Sequence, residues 1–185
     1  ELDDEEKTAS VIRNESANGD ILIPRSIKYE HSKFNVTTIS KNCFKNSYEI
    51  NSISFPLNSH VTTIEKDAFI NSSIAKITIP SSLSELKDGW CHGTPHLTSI
   101  NVMPNNQRYC FFNDKFSIGK FDVELDEYDE LIFAARHINE AVIPSFVKRI
   151  CPYAFSHTQI ERIFIHPEIL QISDGSFYPC RNLKK

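Results

Sequence analysis

The tetrapeptide Val-Thr-Thr-Ile occurs at residues 36–39 and again at 61–64, and each copy is followed five residues after its isoleucine by a phenylalanine, Phe44 and Phe69. Recurrence at a fixed period of roughly 20 to 50 residues marks stacked repeats, and it restricts the fold more tightly than composition can. Aligned on this element, the chain shows five apolar pairs three residues apart: Val36/Ile39, Val61/Ile64, Leu83/Leu86, Val147/Ile150 and Ile169/Ile172. Five residues past each second member stand Phe44, Phe69, Cys91 (beside Trp90), Phe155 and Phe177, so each copy has one bulky plug. Three residues further come Ser47, Ser72, Thr94, Thr158 and Cys180, all small, each with one hydroxyl or thiol. Then follow Ile50, Ile74, Leu97, Ile160 and Leu183.

Three residues beyond Ile50, Ile74, Leu97 and Ile160, a strand-like triplet starts: Ile-Ser-Phe at 53, Ile-Thr-Ile at 77, Ile-Asn-Val at 100 and Ile-Phe-Ile at 163. Triplets at 21 and 141 fit the same frame, and proline follows closely at 24, 56, 80, 104, 144 and 167. The period is about 23 residues. Alternation puts two side chains of each triplet on one face, and proline ends the strand because it lacks the N–H of a ladder. The spacings suit no helix longer than one helical or 3₁₀ turn around Lys66–Phe69 or Pro152–Phe155. The pattern predicts a right-handed coil with one short parallel strand per turn and the plugs stacked inside, about six coils in all. A lone coil cannot bury its apolar side, so its neighbours must do so. The hydroxyl column should satisfy backbone groups at the bends. The threonines of Val-Thr-Thr-Ile are assigned to a bend.

These residues resemble the BspA-like leucine-rich repeat family, whose unit runs roughly I-x-I-P-x-x-V-x-x-I-x-x-x-A-F-x-x-C-x-x-L. Residues 77–80, 61–69 and 141–160 carry the likeness best, and it extends over nearly the whole chain from about residue 20. The resemblance implies a leucine-rich-repeat solenoid, and surface proteins of bacteria and parasitic protists linked to adhesion and host-protein binding. The motif residues are core residues, so the fold is specified far better than the function.

Departures from the unit mark where the surface is individual. Residues 25–35 add about nine residues, expected as an inserted hairpin arm. After the triplet at 100, about 40 residues replace the expected pair and plug. A β-hairpin insertion near 105–140 is expected, with strands in Lys115–Phe121 and Tyr128–Ala134 joined by the acidic run 122–130. The competing arrangement is a helix over 124–138, since Leu125, Tyr128, Ile132 and Ala135 recur at three and four. Both stand at this point. The chain is thus organised as one solenoid domain over 1–185: an N-terminal segment 1–20, coils 21–104, the insertion 105–140 and coils 141–185.

Charge and composition exclude some roles. A net charge of −4, with scattered Lys and Arg, does not suit nucleic-acid binding, which needs cations against phosphates. The acidic runs at 1–7 and 122–130 fit solvated segments. No apolar stretch approaches a membrane span, so no membrane insertion is expected from this segment. With only five glycines and no phosphate loop, nucleotide binding has no support. The five cysteines form no C-x-x-C pair, against a zinc ribbon or a dense disulfide scaffold.

Two clusters combine residue types that could carry chemistry. Cys91, His92 and His96 crowd together, but Gly93 and Pro95 between them oppose a helix that would converge ligands, and Cys91 falls in the core column. Cys151 and His157 have the types of a thiol nucleophile and base, yet the repeat frame sets them on opposite sides of Phe155. No catalytic, metal or cofactor role is expected, and an enzyme is not.

The insertion aromatics are the candidate partner contacts: Tyr109, Phe111, Phe112, Phe116, Phe121 and Tyr128, with Phe133 close by. Either they pack on the solenoid where a coil is missing, or some stay exposed for a partner, as aromatics carry much interface energy. Asn14, Asn35 and Asn71 head N-x-[ST] triplets, candidate glycosylation sites. The expected function is a non-enzymatic protein-binding module, at the cell surface or secreted, in adhesion or matrix binding. The alternative is a cytoplasmic scaffold docking into a larger assembly. A new strand is due near residue 186, so further repeats or another chain are expected at that end.

Overall fold

The computed structural model describes residues 1–184. Before the insertion the strands are β1 (Leu2–Asp3), β2 (Thr8–Val11), β3 (Gly19–Leu22), β4 (Ser26–Tyr29), β5 (Ser32–Ile39), β6 (Ile50–Ser54), β7 (Thr63–Ile64), β8 (Lys76–Ile79), β9 (Glu85–Leu86) and β10 (Ser99–Val102). The insertion holds β11 (Tyr109–Phe112), β12 (Phe116–Gly119) and β13 (Glu130–Ala134). After it come β14 (Glu140–Val142), β15 (Arg149–Ile150), β16 (Arg162–Phe164) and β17 (Gln171–Ile172).

The triplets pair in the predicted frame. Ile21 aligns with Ile53, Ile53 with Ile77 and Ile77 with Ile100 in the parallel sheet β3–β6–β8–β10, and Ala141 aligns with Ile163 in β14–β16. The apolar pairs form a second ladder in each coil, and Thr38 and Thr63, expected at a bend, lie in its strands. Thr38 pairs with Thr63 and Thr63 with Glu85, while Val11, Ile39, Ile64 and Leu86 align rung by rung. Leu131, Ile150 and Ile172 continue this ladder beyond the insertion. Among the described residues this ladder has seven rungs, two more than the five apolar pairs, because β2 in the N-terminal segment supplies the first and buries Ala9, and β13 in the insertion supplies another.

Among the described residues there is no helix. The turn around each plug is a run of linked i→i+3 bonds, Ala68 to Glu65, Ile70 to Asp67 and Ser72 to Phe69. Left-handed residues interrupt it two positions before and after the plug: Asn42 and Asn46, Asp67 and Asn71, Gly89 and Gly93, Tyr153 and His157. Asn, Asp and Gly tolerate this conformation, which is why helix never propagates here. The freed N–H groups instead reach the next coil: Phe44 to Ala68 O at 2.7 Å, Phe69 to Trp90 O at 2.9 Å, Phe155 to Ser176 O at 2.8 Å. At the small column, the Thr94 and Thr158 hydroxyls donate to the Cys91 and Phe155 carbonyls at 2.7 and 2.8 Å, as buried hydroxyls must find acceptors.

The core lies between the two ladders. Val36, Ile39, Val61, Ile64, Ile74, Ile77 and Leu83 are all at most 2% exposed, each worth roughly 1.5–3 kcal/mol of burial. The plugs stack along it, Phe44 on Phe69 at 5.1 Å, Phe69 on Trp90 at 6.1 Å and Phe155 on Phe177 at 5.0 Å. Trp90 therefore fills the role vacated at Cys91.

Candidate interaction site at the break in the coil stack

The insertion interrupts both ladders between β9 and β13 and between β10 and β14. The predicted arm at 25–35 is a hairpin, β4 on β5. The larger insertion is a three-stranded antiparallel sheet, β11–β12–β13, with β13 joined to β15. The helix over 124–138 does not form, because Leu131 and Phe133 are consumed as buried strand residues. Strand β11 was not foreseen; its Tyr-Cys-Phe-Phe run has no period-2 pattern. A turn at Asn113 and Asp114, both with positive φ and bonded from Lys115 N to Phe112 O, closes the tip, as a type I′ hairpin turn requires.

Side chains stand in for the missing backbone at the break. Buried Asn106 donates from Nδ2 to the Pro80 and Leu83 carbonyls at 2.8 and 3.0 Å, and its Oδ1 accepts from Arg108 and Tyr109 N–H at 2.9 and 2.7 Å. Two rings share the plug position: Phe133 meets Trp90 at 6.4 Å and Phe116 meets Phe155 at 6.2 Å. Arg136, 1% exposed, donates to the Ala134 and Ala154 carbonyls, lies 3.6 Å from Cys91 Sγ and sits 4.4 Å over the Phe133 ring.

The candidate contact aromatics divide accordingly. Tyr109 and Phe116 are buried, with Phe133, and no partner can touch them without unfolding the site. Phe111 and Tyr128 are half-buried. Phe121 is exposed, with the Arg149 guanidinium 4.0 Å from its ring and Arg149 paired to Asp129; the Lys120 ammonium covers Tyr128 and pairs with Asp126. Phe112, half-buried, lies with the edge of buried Phe116 along an open groove.

That groove, about 780 Å³, lies between the hairpin tip (Phe112 to Phe116) and the strands β14 and β16. Phe112 meets Phe146 edge-on at 5.3 Å, and Val142, Phe146 and Phe164 are 68%, 40% and 62% exposed. Val142 and Phe164 are paired neighbours on the outer face, where the earlier coils carry Leu22, Ser54, Thr78 and Asn101, so among the described residues of this face apolar exposure is doubled up on adjacent strands only here. The sequence held this signal: the middle residue of a triplet faces outward, and in Ile-Phe-Ile it is aromatic. Glu140 and Arg162 form an ion pair beside them, Arg162 Nε 3.0 Å from Oε1.

The two Cys/His clusters hold no assembled chemistry. Cys91 is buried, and its thiol is pushed up to about 11 by desolvation. The His92 ring lies on Tyr153, and His96 is exposed. Among the described residues no group of three His, Cys, Asp or Glu is close enough to hold a metal ion. Desolvation, then the neighbouring Glu130, raises the Cys151 thiol, away from the thiolate a nucleophile needs, while His157 Nδ1 lies 2.9 Å from Ser156 Oγ. Of the glycosylation candidates, Asn14 and Asn71 are exposed, and Asn35 is half-buried in β5 between β2 and β4.

Two ladders, linked turns and stacked plugs define a β-solenoid of leucine-rich-repeat type. The BspA type leucine rich repeat region matches in six copies over residues 25–115 and 91–184, and the chain belongs to this family. A leucine-rich repeat protein from Eubacterium ventriosum ATCC 27560 is similar in fold, with TM-score 0.55 and 22% identity over 78% of this chain and 49% of its own. The pneumococcal vaccine antigen PcpA aligns with TM-score 0.43 and 12% identity over 95% of this chain and 62% of its own. A leucine rich cell surface protein from Faecalibacterium prausnitzii A2-165 aligns at 0.42 and 14% over 99% and 84%. The chain thus spans about half to three fifths of the first two. No curated protein matches it. Leucine-rich-repeat families typically bind proteins, through the long surfaces that stacking creates. Among the described residues no helix is long and apolar enough to cross a membrane.

Proposed function

We propose that this segment is a non-enzymatic protein-binding module, working at the cell surface or in secreted form in adhesion or matrix binding. The observation that carries the reading is the open groove at the stack break, where Val142, Phe146 and Phe164 expose apolar surface beside Phe112. Exposed apolar clusters framed by polar residues mark interaction sites. The surface location and adhesion role rest on the resemblance to BspA-like surface proteins. A cytoplasmic scaffold is favoured by one observation, that all five cysteines are unpaired thiols.

The test uses the purified chain against a panel of purified extracellular-matrix proteins by interferometry, with Phe146→Ser and Phe164→Ser alongside. Binding that the substitutions abolish supports the groove; binding they leave intact sinks it. Surface labelling of intact source cells decides location. Failure to label, together with no matrix binding, favours the scaffold.

A further inference from the structure

The ladder of outer strands is broken between β10 and β14. Among the described residues, strand β10 is bonded only to β8, and β14 only to β16. Along a parallel strand, alternate residues direct their N–H and C=O to opposite edges. Met103 N–H donates to Ile79 O at 2.8 Å and Ile143 N–H to Phe164 O at 3.0 Å. Odd-numbered residues of both strands therefore face their partner. Glu140 and Val142 direct their backbone groups toward the break, and neither makes a further backbone bond among the described residues. An exposed edge of this kind is a template for another strand.

The groove adjoins this edge, lined on one side by β14 and β16 and on the other by the hairpin tip. Its charge is also biased. Arg162 is paired with Glu140, whereas Lys115 at the tip is exposed and has no ion pair among the described residues, on a chain whose net charge is −4. A groove with open hydrogen-bonding groups of β14 at its side and apolar side chains beside them suits one extended chain. We propose that a peptide segment of the partner protein adds to the free edge of β14 as a strand. Its alternate apolar side chains lie against Phe146 and Phe164, and an Asp or Glu meets Lys115. The inference rests on the groove being the protein-binding site.

The experiment pans a displayed library of random ten-residue peptides on the intact chain, then titrates the enriched peptides against wild type, Val142→Pro and Phe164→Ser. Proline at 142 removes an edge donor that faces the break and leaves the β14–β16 bonds in place. Enriched peptides should alternate apolar residues and contain an acid, and Val142→Pro should weaken them about tenfold. Peptides N-methylated at alternate positions should lose binding in one register only, a readout that holds even if Val142→Pro fails to fold. Binding indifferent to Val142→Pro and to methylation, yet lost with Phe164→Ser, overturns strand addition and spares the groove. Absence of binders, or binders indifferent to all changes, overturns both. Concentration-dependent dimerisation that Val142→Pro blocks overturns the proposal by making a second copy the occupant.

Discussion

The hydroxyl of Tyr109 accepts the Leu86 N–H at 2.9 Å and lies 3.4 Å from the Ser84 carbonyl, so a side chain closes a ladder that the next coil leaves open. Tyr109 is buried, and desolvation pushes its phenol up to about 12. Tyr109→Phe keeps the ring and strands the Leu86 N–H, at a cost of about 1–3 kcal/mol. Urea unfolding should show that loss, and hydrogen exchange at Leu86 should quicken. Unchanged exchange there would mean the phenol does not protect the ladder end.

Phe69 sits in the middle of the plug column, fully buried, stacked on Phe44 and edge-on to Trp90. Phe69→Ala leaves a cavity touching two neighbouring coils and should cost about 3–5 kcal/mol. Phe177→Ala, on a half-buried ring in the last coil, should cost clearly less. Thermal unfolding of the two variants checks the order.

Arg136 has no carboxylate partner in the interior, and its Nε makes no hydrogen bond. Desolvation is costly for such a charge, and an apolar residue of similar volume relieves it. Arg136→Met should therefore be at least as stable as wild type. Arg136→Ala should lose about 2–4 kcal/mol, because it removes the filling of the break as well. A Met variant as unstable as the Ala variant would show that the hydrogen bonds to Ala134 and Ala154 outweigh desolvation.

Burial holds His92 and His157 below the ordinary histidine value of 6.5, Asp67 partly opposing at His92 and Arg136 adding to the effect at His157. The unfolded chain therefore takes up protons first as pH falls. Their contribution is complete above the ordinary value and is lost on acidification through it, so melting temperature should drop between about pH 7 and 5.5. His157 also adopts a left-handed φ of 61°, where asparagine is at home. His92→Gln with His157→Asn should flatten the pH profile without lowering stability at pH 7.5. A slope that persists in the double variant would place the proton uptake elsewhere.

How much was readable in advance differs between coil and break. The register Ile53–Ile77–Ile100 and the buried column Val36, Val61, Leu83 and Val147 were legible, because each position recurs with the same environment and the copies average out accident. The second ladder was missed because a two-residue rung is too short for period-2 alternation to register. The rungs at β2 and β13 escape the repeat pattern because neither Val11 nor Leu131 is followed five residues later by an aromatic plug.

The sequence by itself determined a stacked coil with a known inside: repetition states which side chains face one another, and hydrophobic burial does the rest. Only the tertiary structure decided what happens where repetition stops. Asn106, Tyr109 and Arg136 have no counterparts in other coils, and each reaches a backbone group 18 to 26 residues away in sequence, in a neighbouring coil. The groove is of the same kind. Phe112, Phe146 and Phe164 come from three separate segments and meet because the insertion displaces a rung, a consequence of packing that no local pattern encodes.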